Sequence, residues 1–422
     1  MGEPRPVLRD SADQRSMPTV AMVGGGQLAR MTQQAAIGLG QCLRVLATSQ
    51  DDPAAQVSPD VVVGSHTDLE ALRTAARGAA ALTFDHEGAP VEHLRTLQDE
   101  GVVVLPPPQA LIYAQDKLRM RVRLAELGVP VPDFADLSGT DRDTVLAEFG
   151  ARHDWQVVLK TVRGGYDGRG VWVLDNESDA RAVLAEVDGD LLVEQRVPMR
   201  RELSAMIARS PFGQGAAWPV VETVQRHGQC AVAIAPAPGL DPSTAEAAEH
   251  LALRLAAELG VVGVMAVELF EKESGALSVN ELAMRPHNSG HWTMDGAVTD
   301  QFEQHLRAVL DYPLGATSAR APVTVMANIL GAEQTPTMTM DERLHHLMAR
   351  IPEARVHLYG KGERPDRKIG HVNIVGTAGV GVGAGSPDDE DYVAAIRERA
   401  ERAATWMSTA VWTDGWDPHD EH

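Results

Sequence analysis

The chain has 422 residues, 44% of them hydrophobic and 23% charged, with a formal charge of −21. That acidity leaves no broad basic field for nucleic acid, so any anionic ligand has to be held by a few local cations. No apolar run is long enough to span a bilayer, residues 1–17 lack the apolar centre of a secretory signal, and two cysteines, Cys42 and Cys230, suit a reducing cytoplasm.

Residues 19–23 read as a short apolar strand running into Gly24-Gly25-Gly26-Gln27-Leu28-Ala29, with an amphipathic helix to about residue 37. Further strands are expected at 43–48, 61–64, 80–84 and 102–105, with helices at 68–77 and 90–100. Strands alternating with helices point to a parallel sheet covered on both faces. The glycine turn offers free N–H groups at a helix start, which suit a phosphate. The same turn also opens a nicotinamide dehydrogenase. Against that alternative, Asp51 and Asp52 lie beyond the second strand and not at its tip, where a ribose-binding acid belongs.

Pro106-Pro107-Pro108 closes this unit, and one helix over about 109–127 carries Lys117. Lysine is scarce: of 38 basic residues only Lys117, Lys160, Lys272, Lys361 and Lys368 are lysine. Where arginine is the default cation, a remaining lysine can mark a place that needs a compact ammonium; chance explains any single one, and Lys272 sits in a turn. Strand 156–160 is followed by a loop holding Gly164, Gly165, Gly168 and Gly170, then by strand 171–174. The amides of such a hairpin can fold over phosphates, with Lys160 at its base and Arg169 as a point charge. An ordinary mobile hairpin has the same composition. After a helix at 177–185, strand 191–197 ends in Glu194-Gln195-Arg196-Val197, an edge able to pair an adenine through its backbone. Glu202 is placed for ribose hydroxyls, although surface acids fit the same spacing.

A helix at 245–259 and a strand at 261–264 lead into the densest polar stretch. Strand 264–270 and strand 276–279 flank a turn, and residues 280–293 then present Asn280, Glu281, Arg285, His287 and His291. Such density after a buried strand is costly for a core and natural for a site. If the hairpin turns through a four-residue loop at 273–276, Glu268 falls opposite Glu281. Like charges so placed repel unless something offsets them, and a magnesium ion is the simplest remedy; two solvated glutamates are the other reading. The last unit has strands at 323–330, 355–359 and 371–375 and helices at 341–349 and 391–407. Its loop 360–370 carries Lys361, Arg364, Arg367 and Lys368, a local anion-site candidate or a solvated turn.

Taken together these pieces resemble the ATP-grasp superfamily, and within it the N5-carboxyaminoimidazole ribonucleotide synthase family. The resemblance covers about residues 18–407. It is carried by Gly24-Gly25-Gly26-Gln27-Leu28-Ala29-Arg30-Met31, by Gly164-Gly165-Tyr166-Asp167-Gly168-Arg169-Gly170, by Asn280-Glu281-Leu282 with Arg285-Pro286-His287-Asn288-Ser289-Gly290-His291-Trp292-Thr293, and by Arg367-Lys368-Ile369-Gly370-His371. It implies an α/β and α+β multidomain chain: an extension at 1–17, an open parallel α/β domain at 18–115, an ATP-grasp domain at 116–320 with a lid around 133–200, a small C-terminal domain at 321–410, and a tail at 411–422.

The implied activity is ATP- and bicarbonate-dependent carboxylation of 5-aminoimidazole ribonucleotide in purine synthesis, by a cytoplasmic homodimer using Mg2+ or Mn2+. Lys117 and Lys160 are expected on the ATP phosphates, with Gly165, Tyr166, Asp167, Gly168, Arg169, Gly170 and Val171 as the lid loop. Glu194, Gln195, Arg196 and Val197 are expected at adenine, Glu202 at ribose, and Gln225 nearby. Glu268 and Glu281 would ligate the metal, with Asn280 beside them. Tyr166, Arg285 and His287 would surround the carboxylating centre, with Asp167 and Arg169 close to the nucleotide substrate. That ribonucleotide would bind between Gly26, Gln27 and Leu28, Asp85 or Glu87, and Lys361, Arg367 and Lys368. The chain departs from the family pattern at Ala29, Met284, Asp85 and Gln225. A different acid activated by the same ATP machinery, such as formate in glycinamide ribonucleotide transformylation, is the other enzymatic reading.

Overall fold

The computed structural model describes residues 17–165, 168–376 and 385–416. Tyr166 and Asp167, residues 1–16 of the expected extension and residues 417–422 of the expected tail lie outside the described residues.

The N-terminal sheet contains β1 (Val20–Val23), β2 (Leu43–Ala47), β3 (Asp60–Val63) and β4 (Ala81–Phe84), all parallel in the order β3-β2-β1-β4. Every residue of β1 is fully buried, as a parallel strand with helices on both faces requires. The strand expected at 102–105 is reduced to a single parallel bridge between Leu82 and Val104. The prolines that follow carry no N–H, so pairing stops there. The single helix expected over 109–127 is two, Pro108–Gln115 and Lys117–Glu126. Asp116 between them is extended (φ −132°, ψ 103°), and its carboxylate accepts the Arg119 N–H and pairs with Arg163 at 2.9 Å. The break turns Lys117 onto the glycine hairpin, where its N–H reaches Val162 O at 2.9 Å.

A second, antiparallel sheet holds β5 (Phe134–Asp136), β6 (Val157–Thr161), β7 (Val171–Leu174) and β8 (Leu191–Gln195) in the order β5-β8-β6-β7. Helices Arg142–Arg152 and Glu177–Glu186 pack on it through Leu146, Phe149, Leu159, Leu184 and Val193. The glycine hairpin joins β6 to β7, with Lys160 paired to Val171. Gly168 and Gly170 there have φ of 77° and 71°, which side-chain-bearing residues rarely adopt.

The large sheet contains β9 (Met199–Arg209), β10 (Gly215–Ala217), β11 (Val221–Arg226), β12 (Gln229–Ala235), β13 (Gly263–Lys272), β14 (Leu277–Ala283), β15 (Val323–Leu330), β16 (Arg355–Leu358) and β17 (Lys368–Gly376). Its order is β14-β13-β9-β11-β12-β15-β17-β16, with β10 paired to β9. β9 through β12 have no counterpart in the sequence reading. β9 buries Leu203, Ala205 and Ile207 in one core and Met206 and Ala208 in another, so the polar alternation that betrays a half-exposed strand is missing. β12 pairs with β15, which carries the sheet without interruption across residue 321. Among the described residues no helix is long and apolar enough to cross a membrane.

Candidate active site

The β13–β14 hairpin brings Glu268 opposite Glu281, by a route the sequence does not reveal. Near the turn the pairs run Glu271 with Leu277, Phe270 with Ser278 and Leu269 with Val279, one residue away from the register a four-residue loop gives. A bulge at Asn280 absorbs the difference. A bulge also lets two successive residues reach the same region. Asn280 Nδ2 donates to Glu268 Oε2 at 3.4 Å, its Oδ1 accepts from Lys160 Nζ at 3.1 Å, and Glu281 lies 3.9 Å from Lys117. Burial and the charge of Glu268 raise the Glu281 pKa, while Lys117 opposes them. Burial raises Glu268 as well, but the hydrogen bond from His287 and the charges of His287, Lys160 and Arg285 bring it below the usual range. Glu202 is pushed up to about 7 by burial and by Glu268, and it accepts from Gln225 Nε2 at 3.0 Å. Three carboxyls crowded in this way favour a cation. The described residues contain no group of three or more side chains placed to hold a metal, and the opposed pair Glu268 and Glu281 offers two carboxylates. That set fits magnesium, which takes its remaining oxygens from phosphate and water.

Glu194 is not available as a ligand side chain. Glu194 as a residue is 2% exposed, and its carboxylate accepts from Arg121 Nε at 2.7 Å and pairs with Lys160 Nζ at 2.8 Å. Burial alone would raise its pKa; Lys160 and Arg121 hold it at about 2. Arg121, fully buried, also donates to the carbonyls of Val279 at 3.2 Å and Asn280 at 2.7 Å. One guanidinium therefore ties the sheet of β5 to β8 to the bulge at Asn280. Arg121 escaped the sequence reading because nothing separates it from Arg119 and Arg123 on the same helix. A carboxyl with a depressed pKa contributes stability that is complete above its ordinary value of 4.5 and is lost as the pH falls toward 2. Urea unfolding between pH 5 and 2.5 is expected to show a shallower acid limb for Glu194→Gln than for the wild type; parallel limbs refute this assignment.

After β14 the chain turns through Arg285, His287 and a short 288–290 turn. Arg285 Nε pairs with Glu87 at 2.8 Å, which brings the N-terminal domain to the stretch that follows β14. His287 Nδ1 accepts the Ser289 N–H at 3.4 Å, leaving Nε2 to face Glu268 Oε1 at 3.3 Å. Gln301 clamps this turn: its Oε1 accepts the His287 N–H at 2.7 Å, and its Nε2 donates to His287 O at 2.9 Å and to His291 Nδ1 at 2.9 Å. Gln301, fully buried, is a further residue that sequence reasoning missed.

At the far end, Asp85 Oδ2 accepts the Gly26 N–H at 2.6 Å, fixing the start of helix Gln27–Gly38. A Cβ on Gly26 would lie 2.6 Å from that oxygen, so the turn needs glycine. Lys361 donates to Gln27 Oε1, and Gln56 Nε2 donates to Gly360 O at 3.0 Å, so the basic loop closes onto the glycine turn. Arg367 donates to Gly362 O within its own loop.

A cleft of about 720 Å3 connects these features. It is lined by Gly26, Gln27, Leu28, Asp85, Lys117, Lys160, Gly168, Val171, Glu194, Gln195, Arg196, Val197, Glu202, Gln225, Glu268, Asn280, Glu281, Arg285, His287, Lys361 and Lys368. Of the other expected site residues, Glu87 touches it through Arg285, and Gly165, Arg169, Gly170 and Arg367 do not line it.

A lid sheet facing a large antiparallel sheet across a lysine- and carboxylate-lined cleft is the architecture of ATP-grasp enzymes, and the family model for the ATP-grasp domain matches residues 122–302. The ribonucleotide synthetase preATP-grasp domain matches residues 17–115, and the phosphoribosylaminoimidazole carboxylase C-terminal domain matches 324–380. The N5-carboxyaminoimidazole ribonucleotide synthase of Mycobacterium tuberculosis is 64% identical over 405 residues, covering 95% of this chain and 90% of that one. A solved N5-carboxyaminoimidazole ribonucleotide synthetase in complex with ADP superposes with a TM-score of 0.81 at 32% identity, over 93% of this chain and 98% of that one. The Aspergillus clavatus enzyme, solved with ADP and 5-aminoimidazole ribonucleotide, gives 0.80 at 28% identity, over 92% and 98%. The chain belongs to the N5-carboxyaminoimidazole ribonucleotide synthase family.

Proposed function

We propose that this chain carboxylates 5-aminoimidazole ribonucleotide on its 5-amino group, consuming ATP and bicarbonate and releasing ADP and phosphate. The observation that carries this reading is the continuity of one cleft, from Lys160 and the opposed Glu268–Glu281 pair, past Arg285 and His287, to Gln27 and Lys361. Bicarbonate is too poor an electrophile for an aromatic amine. Its oxygen therefore attacks the γ-phosphorus, the bond to the β–γ bridging oxygen breaks, and ADP leaves carboxyphosphate behind.

Such a transfer depends on alignment and charge neutralisation more than on covalent help. Lys117 and Lys160 hold the phosphates, and Glu194 and Asn280 fix the direction of the Lys160 ammonium. Glu268 and Glu281 would hold Mg2+, which when bound supplies positive charge at the transferring phosphoryl group. Arg285 and His287 orient the acid. The substrate amine then attacks the carboxyl carbon, phosphate departs, and the amine proton passes to a base. Water is kept out because carboxyphosphate hydrolyses, which gives the glycine hairpin a reason to close. The basic loop and the Gly26 turn receive the ribonucleotide, with Lys361 and Lys368 toward its phosphate. A cytoplasmic setting and a homodimer belong to the same proposal; sedimentation velocity tests the second.

The deciding assay measures ADP release with 5-aminoimidazole ribonucleotide, with and without bicarbonate and with formate substituted. Strict dependence on bicarbonate is expected. Turnover with formate in its place transfers the assignment to a formate-activating ligase.

A further inference from the structure

The turn after β14 contains two side chains with buried polar atoms left unpaired. His291 Nε2 and both amide atoms of Asn288 are shut from solvent and have no hydrogen-bond partner. Among the described residues they are the only such orphans whose residues line the cleft. Native proteins rarely leave buried polar atoms unpaired, so orphans in a cleft wall point to a ligand.

The proton on His291 can be placed. Gln301 Oε1 accepts the His287 N–H, so its other end is the NH2 that donates to His291 Nδ1 at 2.9 Å. Nδ1 is thus the acceptor, and the neutral ring carries its proton on Nε2. Burial, with the neighbouring positive charges of His287, Lys368, His357 and Arg285, keeps the ring neutral. The ring is fully buried and packed against His371 with centroids 4.8 Å apart, and His371 is held in turn by the Tyr359 hydroxyl at 2.8 Å. Asn288 faces the Cys230 thiol, a weak partner that burial keeps protonated, its pKa pushed up to about 12.

We infer that His291 Nε2–H and the Asn288 amide complete the pocket for bicarbonate, beside Arg285 and His287. A neutral N–H suits one of the two charged oxygens. The planar amide presents a donor and an acceptor side by side, matching the edge of bicarbonate formed by its O–H and a carboxylate oxygen. Formate has no O–H to give to Asn288 Oδ1, so the amide selects between the two acids. This inference rests on the carboxylation reading and names a subsite within it.

The test measures steady-state kinetics with bicarbonate varied at saturating ATP and 5-aminoimidazole ribonucleotide, with ADP affinity followed by calorimetry. It compares wild type with Asn288→Leu, His291→Phe and His291→Gln. Loss of a buried donor is expected to raise the bicarbonate KM about tenfold in Asn288→Leu and His291→Phe, with ADP affinity unchanged within about twofold. His291→Gln, which can again offer an N–H near the Nε2 position, is expected to recover most of that loss. An unchanged bicarbonate KM, or an ADP affinity that falls in step with it, overturns the subsite. If His291→Phe does not fold, Asn288→Leu and His291→Gln decide the matter. Wild-type ADP release that ignores bicarbonate defeats the carboxylation reading itself, a result distinct from either.

Discussion

Replacing Arg285 with lysine lowers the turnover of bicarbonate-dependent ADP release by about 10²–10³-fold, the effect of removing one preorganised donor from developing negative charge. Arg285 sits between two domains. Its Nε is held by Glu87 at 2.8 Å and Nη1 by Pro286 O at 3.1 Å, so the fork has a fixed orientation. A lysine keeps the charge and loses the fork, which matters where a planar oxyanion is to be matched. Lys117, Lys160 and the glycine hairpin, which the proposed mechanism assigns to ATP, are untouched, so ADP affinity measured by calorimetry is expected to stay near wild type. Turnover close to wild type, or ADP affinity falling together with turnover, refutes the assignment of Arg285 to the carboxylating step.

Replacing Arg121 with methionine destabilises the chain by about 3–5 kcal/mol, because removing one partner of a buried pair leaves the other charge uncompensated. Glu194 would retain Lys160 alone, and the Val279 and Asn280 carbonyls would lose their donor. Urea unfolding without nucleotide measures the loss. A double variant, Arg121→Met with Glu194→Leu, is expected to regain part of it, since the stranded carboxylate is gone. The single variant should also weaken ATP binding, because Lys160 is then drawn more fully to Glu194. A loss below about 1 kcal/mol would mean that water reaches Glu194 freely.

Much of the site's chemistry was legible residue by residue. Gly168 of the glycine hairpin, four of the five lysines (Lys117, Lys160, Lys361 and Lys368) and Asn280, Glu281, Arg285, His287 and His291 all line one cleft. The Glu268–Glu281 pairing was anticipated from a loop length that is off by one, and holds only because the Asn280 bulge restores the register. Bulges leave little local signature. The long strand β9 was missed for another reason: its inner half, residues 203–208, is buried on both faces and lacks the period-two pattern that marks a strand.

The sequence by itself determined which chemistry the chain can perform, since residue type and order along a motif decide whether phosphate, metal and oxyanion can be served. Only the tertiary structure decided which carboxylates are free to serve them. Glu268 and Glu281 face the cleft, whereas Glu194 is consumed by Arg121 and Lys160, Asp85 by the Gly26 N–H, and Glu87 by Arg285. Those partners stand far apart in the chain, Arg285 lying 198 residues from Glu87 and Arg121 lying 159 from Asn280. No local spacing rule reaches so far, and the burial that makes each pairing strong exists only once the domains have packed.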